Sequence, residues 1–198
     1  MKLLFDTDAF CKLGVASLLP DVACLFGEQL QACGRLAALP YMLKKGTLPR
    51  RYGEEACAKL LPIANAMPPA PEADPASLSL FSAVEDIDSG EAQLFAAAAQ
   101  HGLSVVTHDK RALRALAGVP SVHPQLCGRI VVLESALVAL CARLGAAALA
   151  AALAPLSGVD RAITDCLSRG SGGLLTALAS FSDGCACDVE PLKLWSWE

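Results

Sequence analysis

An apolar run, Leu3-Leu4-Phe5, enters a polar turn at Asp6-Thr7-Asp8, and apolar periodicity resumes at Ala9-Phe10-Cys11-Lys12-Leu13. That order predicts a buried strand, a tight turn and a helix capped by Asp8. Residues 21–45 predict short helical pieces with one short strand, and residues 53–66 predict a helix interrupted by Pro62. Met67-Pro68-Pro69-Ala70-Pro71 and the residues to Pro75 read as an exposed loop within one domain. Asp88-Ser89-Gly90-Glu91 then opens a helix that Gly102 stops. Leu103-Ser104-Val105-Val106 is a second strand, Thr107-His108-Asp109 its exit, and residues 110–117 a further helix. Strand, helix, strand predicts an α/β fold with a central parallel sheet.

Beyond His123-Pro124 the pattern becomes Ala/Leu-rich and helical, with breaks expected near Pro155-Leu156-Ser157-Gly158 and Gly170-Ser171-Gly172-Gly173. Residues 1–125 are therefore read as the α/β domain and residues 126–198 as a helical extension packed on it. The small residues of that extension favour close helix contact, so a homodimer or a docked partner helix is expected there.

Composition narrows the classes. Hydrophobic residues make up 54% of the chain, enough for a sizeable core, and the net charge of −4 gives no chain-wide attraction for nucleic acid. A nucleic-acid partner needs a local basic patch; Lys44-Lys45, Arg50-Arg51 and Lys110-Arg111 with Arg114 are the candidates. Asp6 interrupts the start where an export signal needs its apolar core, and no uncharged stretch is long enough for a membrane span. Nine cysteines without a C-x-x-C read as small apolar residues in a reducing, cytoplasmic setting, with Cys185-Ala186-Cys187 not set up for zinc.

Each apolar strand ends in an acid: Phe5 leads to Asp6, and Val106 leads through Thr107-His108 to Asp109. Ligands of open α/β sheets bind beyond such strand ends. Glu91, in the first turn of the helix feeding the second strand, is carried to the same edge. Three converging carboxylates repel one another unless a cation intervenes, and an all-oxygen set suits Mg²⁺ or Mn²⁺. Helix capping accounts for Asp109 and Glu91 separately, but not for Asp6.

These motifs resemble the PIN-domain family of toxin-like ribonucleases. Leu3-Leu4-Phe5-Asp6-Thr7-Asp8 is similar to that family's first motif. Gly90-Glu91-Ala92, His101-Gly102 and Thr107-His108-Asp109 are similar to its later ones, with eighteen residues between Glu91 and Asp109. The resemblance covers about residues 1–125. It implies a PIN-like three-layer fold and a metal-dependent endoribonuclease that uses Asp6, Glu91 and Asp109 as catalytic and metal residues. It also implies RNA as substrate and an antitoxin as partner. The family's usual helical Glu would fall near Pro40-Tyr41-Met42-Leu43-Lys44, where there is no acid; Glu28, Glu54 and Glu55 are the nearest substitutes. That gap leaves a degenerate, non-catalytic fold binding RNA or protein as the alternative. A dehalogenase-like phosphatase would use Asp6 as nucleophile and Asp8 as acid, with Asp183 and Asp188 as its late acids.

Overall fold

The structure, a computed structural model, describes residues 1–196. Its elements in chain order begin with β1 (Leu3–Phe5), α1 (Thr7–Val15), α2 (Leu19–Leu25), β2 (Gly34–Arg35), α3 (Leu39–Met42), α4 (Thr47–Tyr52) and α5 (Glu54–Ala66). There follow α6 (Pro75–Ser82), α7 (Ser89–His101), β3 (Ser104–Thr107), α8 (Lys110–Ala117), α9 (His123–Leu126) and β4 (Ile130–Val132). The last helices are α10 (Leu133–Leu144), α11 (Ala146–Leu153), α12 (Arg161–Ser168) and α13 (Gly170–Asp188).

Among the described residues four parallel strands form one sheet in the order β2-β1-β3-β4. Every residue of β1 and β4 is buried, as expected of a parallel strand covered on both faces. The chain leaves β1 towards β2 on one side and leaves β3 towards β4 on the other. With right-handed crossovers this puts helices on both faces. The helices accordingly fall into two packed groups, α6, α7 and α9 in one and α1, α2, α5 and α10 in the other. The crevice between the ends of adjacent β1 and β3, where the connections diverge, is the topological switch point of the sheet.

The strand at Ile130–Val132 is a correction to the expected boundary. It lies in the segment read as purely helical, yet pairs with β3 through Val105↔Ile130 and Val106↔Val131. Three residues are too short a run to separate from the helix that follows them directly. One continuous apolar cluster joins Leu3, Phe10 and Val106 to Leu137, Leu153 and Leu178, so the extension shares the core of the sheet. Trp197 and Glu198, the end of the expected extension, lie outside the described residues.

Two local expectations also change. α5 continues through Pro62 rather than stopping there, and α13 starts at Gly170 and runs through Gly172-Gly173. The loop after α5 docks beside β2, where the Ala70 amide donates to the Arg35 carbonyl at 2.7 Å. α7 follows its sequence signals: both halves of the Asp88–Glu91 capping box form, and Gly102 ends the helix at φ 65°, where a side chain would be strained. All nine cysteines are thiols, six of them buried. No helix among the described residues is long and apolar enough to cross a membrane.

Candidate active site

Asp6, Glu91 and Asp109 line one cavity of about 630 Å³ at the switch point. Three elements deliver them. The Asp6 amide donates to the Val106 carbonyl at 2.9 Å, tying the end of β1 to β3. Asp6 occupies the cap position before α1 with extended backbone, yet its carboxylate makes no capping hydrogen bond. Glu91 sits in the first turn of α7, where one oxygen accepts from the Asp88 amide at 2.9 Å. Asp109 caps α8, with Oδ1 accepting from the Arg111 and Ala112 amides at 2.9 and 3.0 Å. Glu91 and Asp109 therefore each spend one oxygen on helix geometry.

The electrostatics separate the acids of this region into two sets. Asp6 is only 8% exposed, and burial raises its pKa to about 6; the Thr7 and Asp8 amides oppose the rise and the Asp8 and Asp88 charges add to it. Burial likewise lifts Glu91 to about 7; the Asp88 amide opposes this, while Asp88, Asp109 and Asp6 repel its charge. Among the described residues no Lys, Arg or His lies within ion-pair distance of Asp6, Glu91 or Asp109.

The second set is saturated with cations. Lys12, 1% exposed, stands 2.6 Å from both Asp8 and Asp160. His108 lies 3.4 Å from both Glu134 and Asp160, and Lys110 is 3.1 Å from Glu134. Lys12 and Glu134 thus each meet two partners at ion-pair distances. Burial works to lower the His108 pKa, but the two carboxylates outweigh it and bring the ring to about 9, so it is charged at neutral pH. Burial would raise Glu134; His108 and Lys110 instead hold it at about 2. Burial is also outweighed at Asp160, which His108, the Ile163 amide and Lys12 keep far below the usual carboxylate range. Asp8 belongs here too: Lys12, the Tyr52 hydroxyl at 2.6 Å and Arg51 at 2.9 Å overcome its burial. Asp8 thus anchors Lys12 and does not cap α1, contrary to the sequence reading.

Of the residues 40–44, where the resemblance expects a further acid, Met42 lines the cavity, while Glu28, Glu54 and Glu55 lie outside its lining. Glu55 instead pairs with Lys59 on the surface at 2.7 Å. The late acids needed by a phosphatase are also elsewhere: Asp183 lines a different cavity and Asp188 pairs with Arg114 at 2.6 Å. Sequence reasoning missed Lys12, Glu134 and Asp160. Lys12 alone carried a signal, a charge inside the apolar run Ala9–Leu13.

Among the described residues no group of three or more His, Cys, Asp or Glu is gathered closely enough to hold a metal ion by itself. The donor chemistry suits a sparser arrangement. Mg²⁺ keeps several waters and takes one or two carboxylates, and Asp6 with Glu91 offers two oxygen donors lacking a counter-cation. The Thr7 hydroxyl beside Asp6 is buried without a hydrogen-bond partner. No family model, curated protein or solved structure matches the chain.

Proposed function

We propose that this chain is a PIN-like, divalent-metal-dependent endoribonuclease that hydrolyses RNA phosphodiester bonds in the cavity of Asp6, Glu91 and Asp109. The unequal distribution of counter-charge carries the reading. The protein supplies its own cations to Asp8, Asp160 and Glu134 but none to Asp6 and Glu91. Burying two carboxylates with raised pKa values is unfavourable, and such a defect is retained where a ligand relieves it. Asp6 and Glu91 would hold Mg²⁺ or Mn²⁺, with Asp109 as the third carboxylate of the same cavity. A bound ion would supply water activation and charge neutralisation at the phosphate. The chain's own groups do the rest: Arg51 and Lys110 at the cavity wall attract the phosphodiester backbone, and the fixed α7 and α8 starts keep Glu91 and Asp109 in place.

The test is cleavage of labelled single-stranded RNA in Mn²⁺ by the wild type and by Asp6→Asn. Metal-dependent cleavage lost in the variant supports the proposal. Met42 at the expected acid position favours the second reading, a non-catalytic fold that binds RNA or a protein partner. Wild-type protein that binds RNA but leaves it intact in both Mg²⁺ and Mn²⁺ would establish that reading instead.

A further inference from the structure

A second groove of about 600 Å³ adjoins the acidic cavity and shares Arg51, His108, Lys110 and Asp160 with it. Its outer wall comes from the extension: Arg161 and Asp165 on α12 and Phe181 on α13. Its permanent cations are Arg51, Lys110 and Arg161; Asp8 at 2.9 Å holds Arg51 and Glu134 at 3.1 Å holds Lys110, while the groove's own carboxylates are Asp160 and Asp165. Of these, Asp160 is already held by Lys12 and His108, and Asp165 meets Arg161 only at 4.0 Å. The Arg161 side chain is 96% exposed, so its charge is available to a ligand. Counted over its lining residues the groove has more cations than carboxylates, on a chain whose net charge is −4, and Arg161 is the cation least engaged by an acid. It also contains an aromatic ring, for Phe181 lies beneath the Lys110 ammonium at 5.0 Å. Guanidinium groups match phosphate oxygens, and sequence-tolerant binding of single strands combines a basic groove with aromatic surfaces for bases.

We infer that the extension forms a subsite for the nucleotides flanking the reacting phosphodiester. A single-stranded nucleic acid leaves the acidic cavity along this groove, with phosphates at Arg51 and Arg161 and a base against Phe181. The inference rests on the nuclease reading for where the reacting bond lies, but the binding itself requires no metal. An acidic peptide would find the same cations; the ring beside them favours a ligand with bases.

The experiment measures fluorescence anisotropy of a labelled eight-nucleotide single-stranded RNA in EDTA, at several salt concentrations. The proteins are wild type, Arg161→Glu and Phe181→Leu, each checked for an unchanged melting transition. Arg161→Glu is expected to weaken binding about five-fold or more and to make it less salt-dependent. Scanning one abasic position along the RNA should weaken wild-type binding about five-fold at one site and leave Phe181→Leu insensitive there. A ring with only a structural role would not make that difference. Failure of the wild type to bind in EDTA, or binding by both variants equal to wild type, overturns the subsite. So does displacement by a poly-glutamate peptide of equal charge with no abasic effect, which assigns the groove to an acidic peptide. Mn²⁺-dependent cleavage by the wild type, measured in parallel, separates these failures from failure of the nuclease reading.

Discussion

Asp6→Asn should make the metal-free protein more stable at neutral pH, and the size of the gain follows from the site. Asp6 has its pKa raised from 3.8 to about 6 on folding. One pKa unit corresponds to about 1.4 kcal/mol, so the buried charge costs about 3 kcal/mol at pH 7. The folded state holds its proton more tightly than the unfolded chain. The penalty is therefore absent below about pH 4, grows as pH rises towards 6, and is constant above that. Asparagine has no charge to desolvate but remains a buried polar group, so the net gain is expected at roughly 1–3 kcal/mol. Asp160 and Glu134 impose the opposite slope, because their lowered values give stability that disappears as pH falls. The difference between variant and wild type cancels that common background. The assay is urea unfolding in EDTA from pH 4 to 8, plotted as variant minus wild type. A difference that rises between pH 4 and 6 and then levels supports the account. A flat difference, or a variant less stable than wild type at pH 7, refutes the claim that Asp6 is a buried charge without a counter-ion.

Lys12→Met removes the cation held between Asp8 and Asp160 and should destabilise the fold by about 3 kcal/mol, because breaking a buried pair strands its partners. An unchanged urea midpoint would show that the network contributes nothing. Met42→Glu adds an acid to the cavity lining and should tighten Mg²⁺ binding measured by calorimetry about ten-fold; no change would place residue 42 outside the ion's reach. Leu144 and Leu175, both more than a third exposed on α10 and α13, are expected at a dimer or partner-helix contact. A strictly monomeric mass by light scattering at high concentration, with no partner recovered from the native host, would count against that contact.

The sequence made two strands of the sheet, β1 and β3, and three cavity acids legible because each depends on local signals. β1 and β3 are apolar runs that end in acids, and the Asp88–Glu91 box with Gly102 marks both ends of α7. The counter-charges were not legible, since Lys12, Asp160 and Glu134 meet only after distant elements pack. Asp160 is 148 positions from its partner Lys12 and also serves as an ordinary cap for α12. Asp8 misled for the same reason: its type and place suit a cap, while its actual partners, Lys12, Arg51 and Tyr52, come partly from α4. β4 was hidden by its length, and the groove at Arg161 and Phe181 by its origin in a segment whose pattern showed only helices.

The central claim is that the carboxylates lacking counter-charge take up a divalent cation, and the thermal shift given by Mn²⁺ tests it most directly. Binding to the native state raises the melting temperature by mass action, so the wild type should gain stability as Mn²⁺ is added. Asp6→Asn and Asp109→Asn should each lose that gain. Asparagine caps a helix about as well as aspartate, so loss of the cap accounts for only a few tenths of a kcal/mol, roughly, in Asp109→Asn. A wild-type shift abolished in both variants is the predicted result. Full Mn²⁺-dependent shifts in both variants, or none in the wild type, would contradict the metal site and the nuclease reading with it.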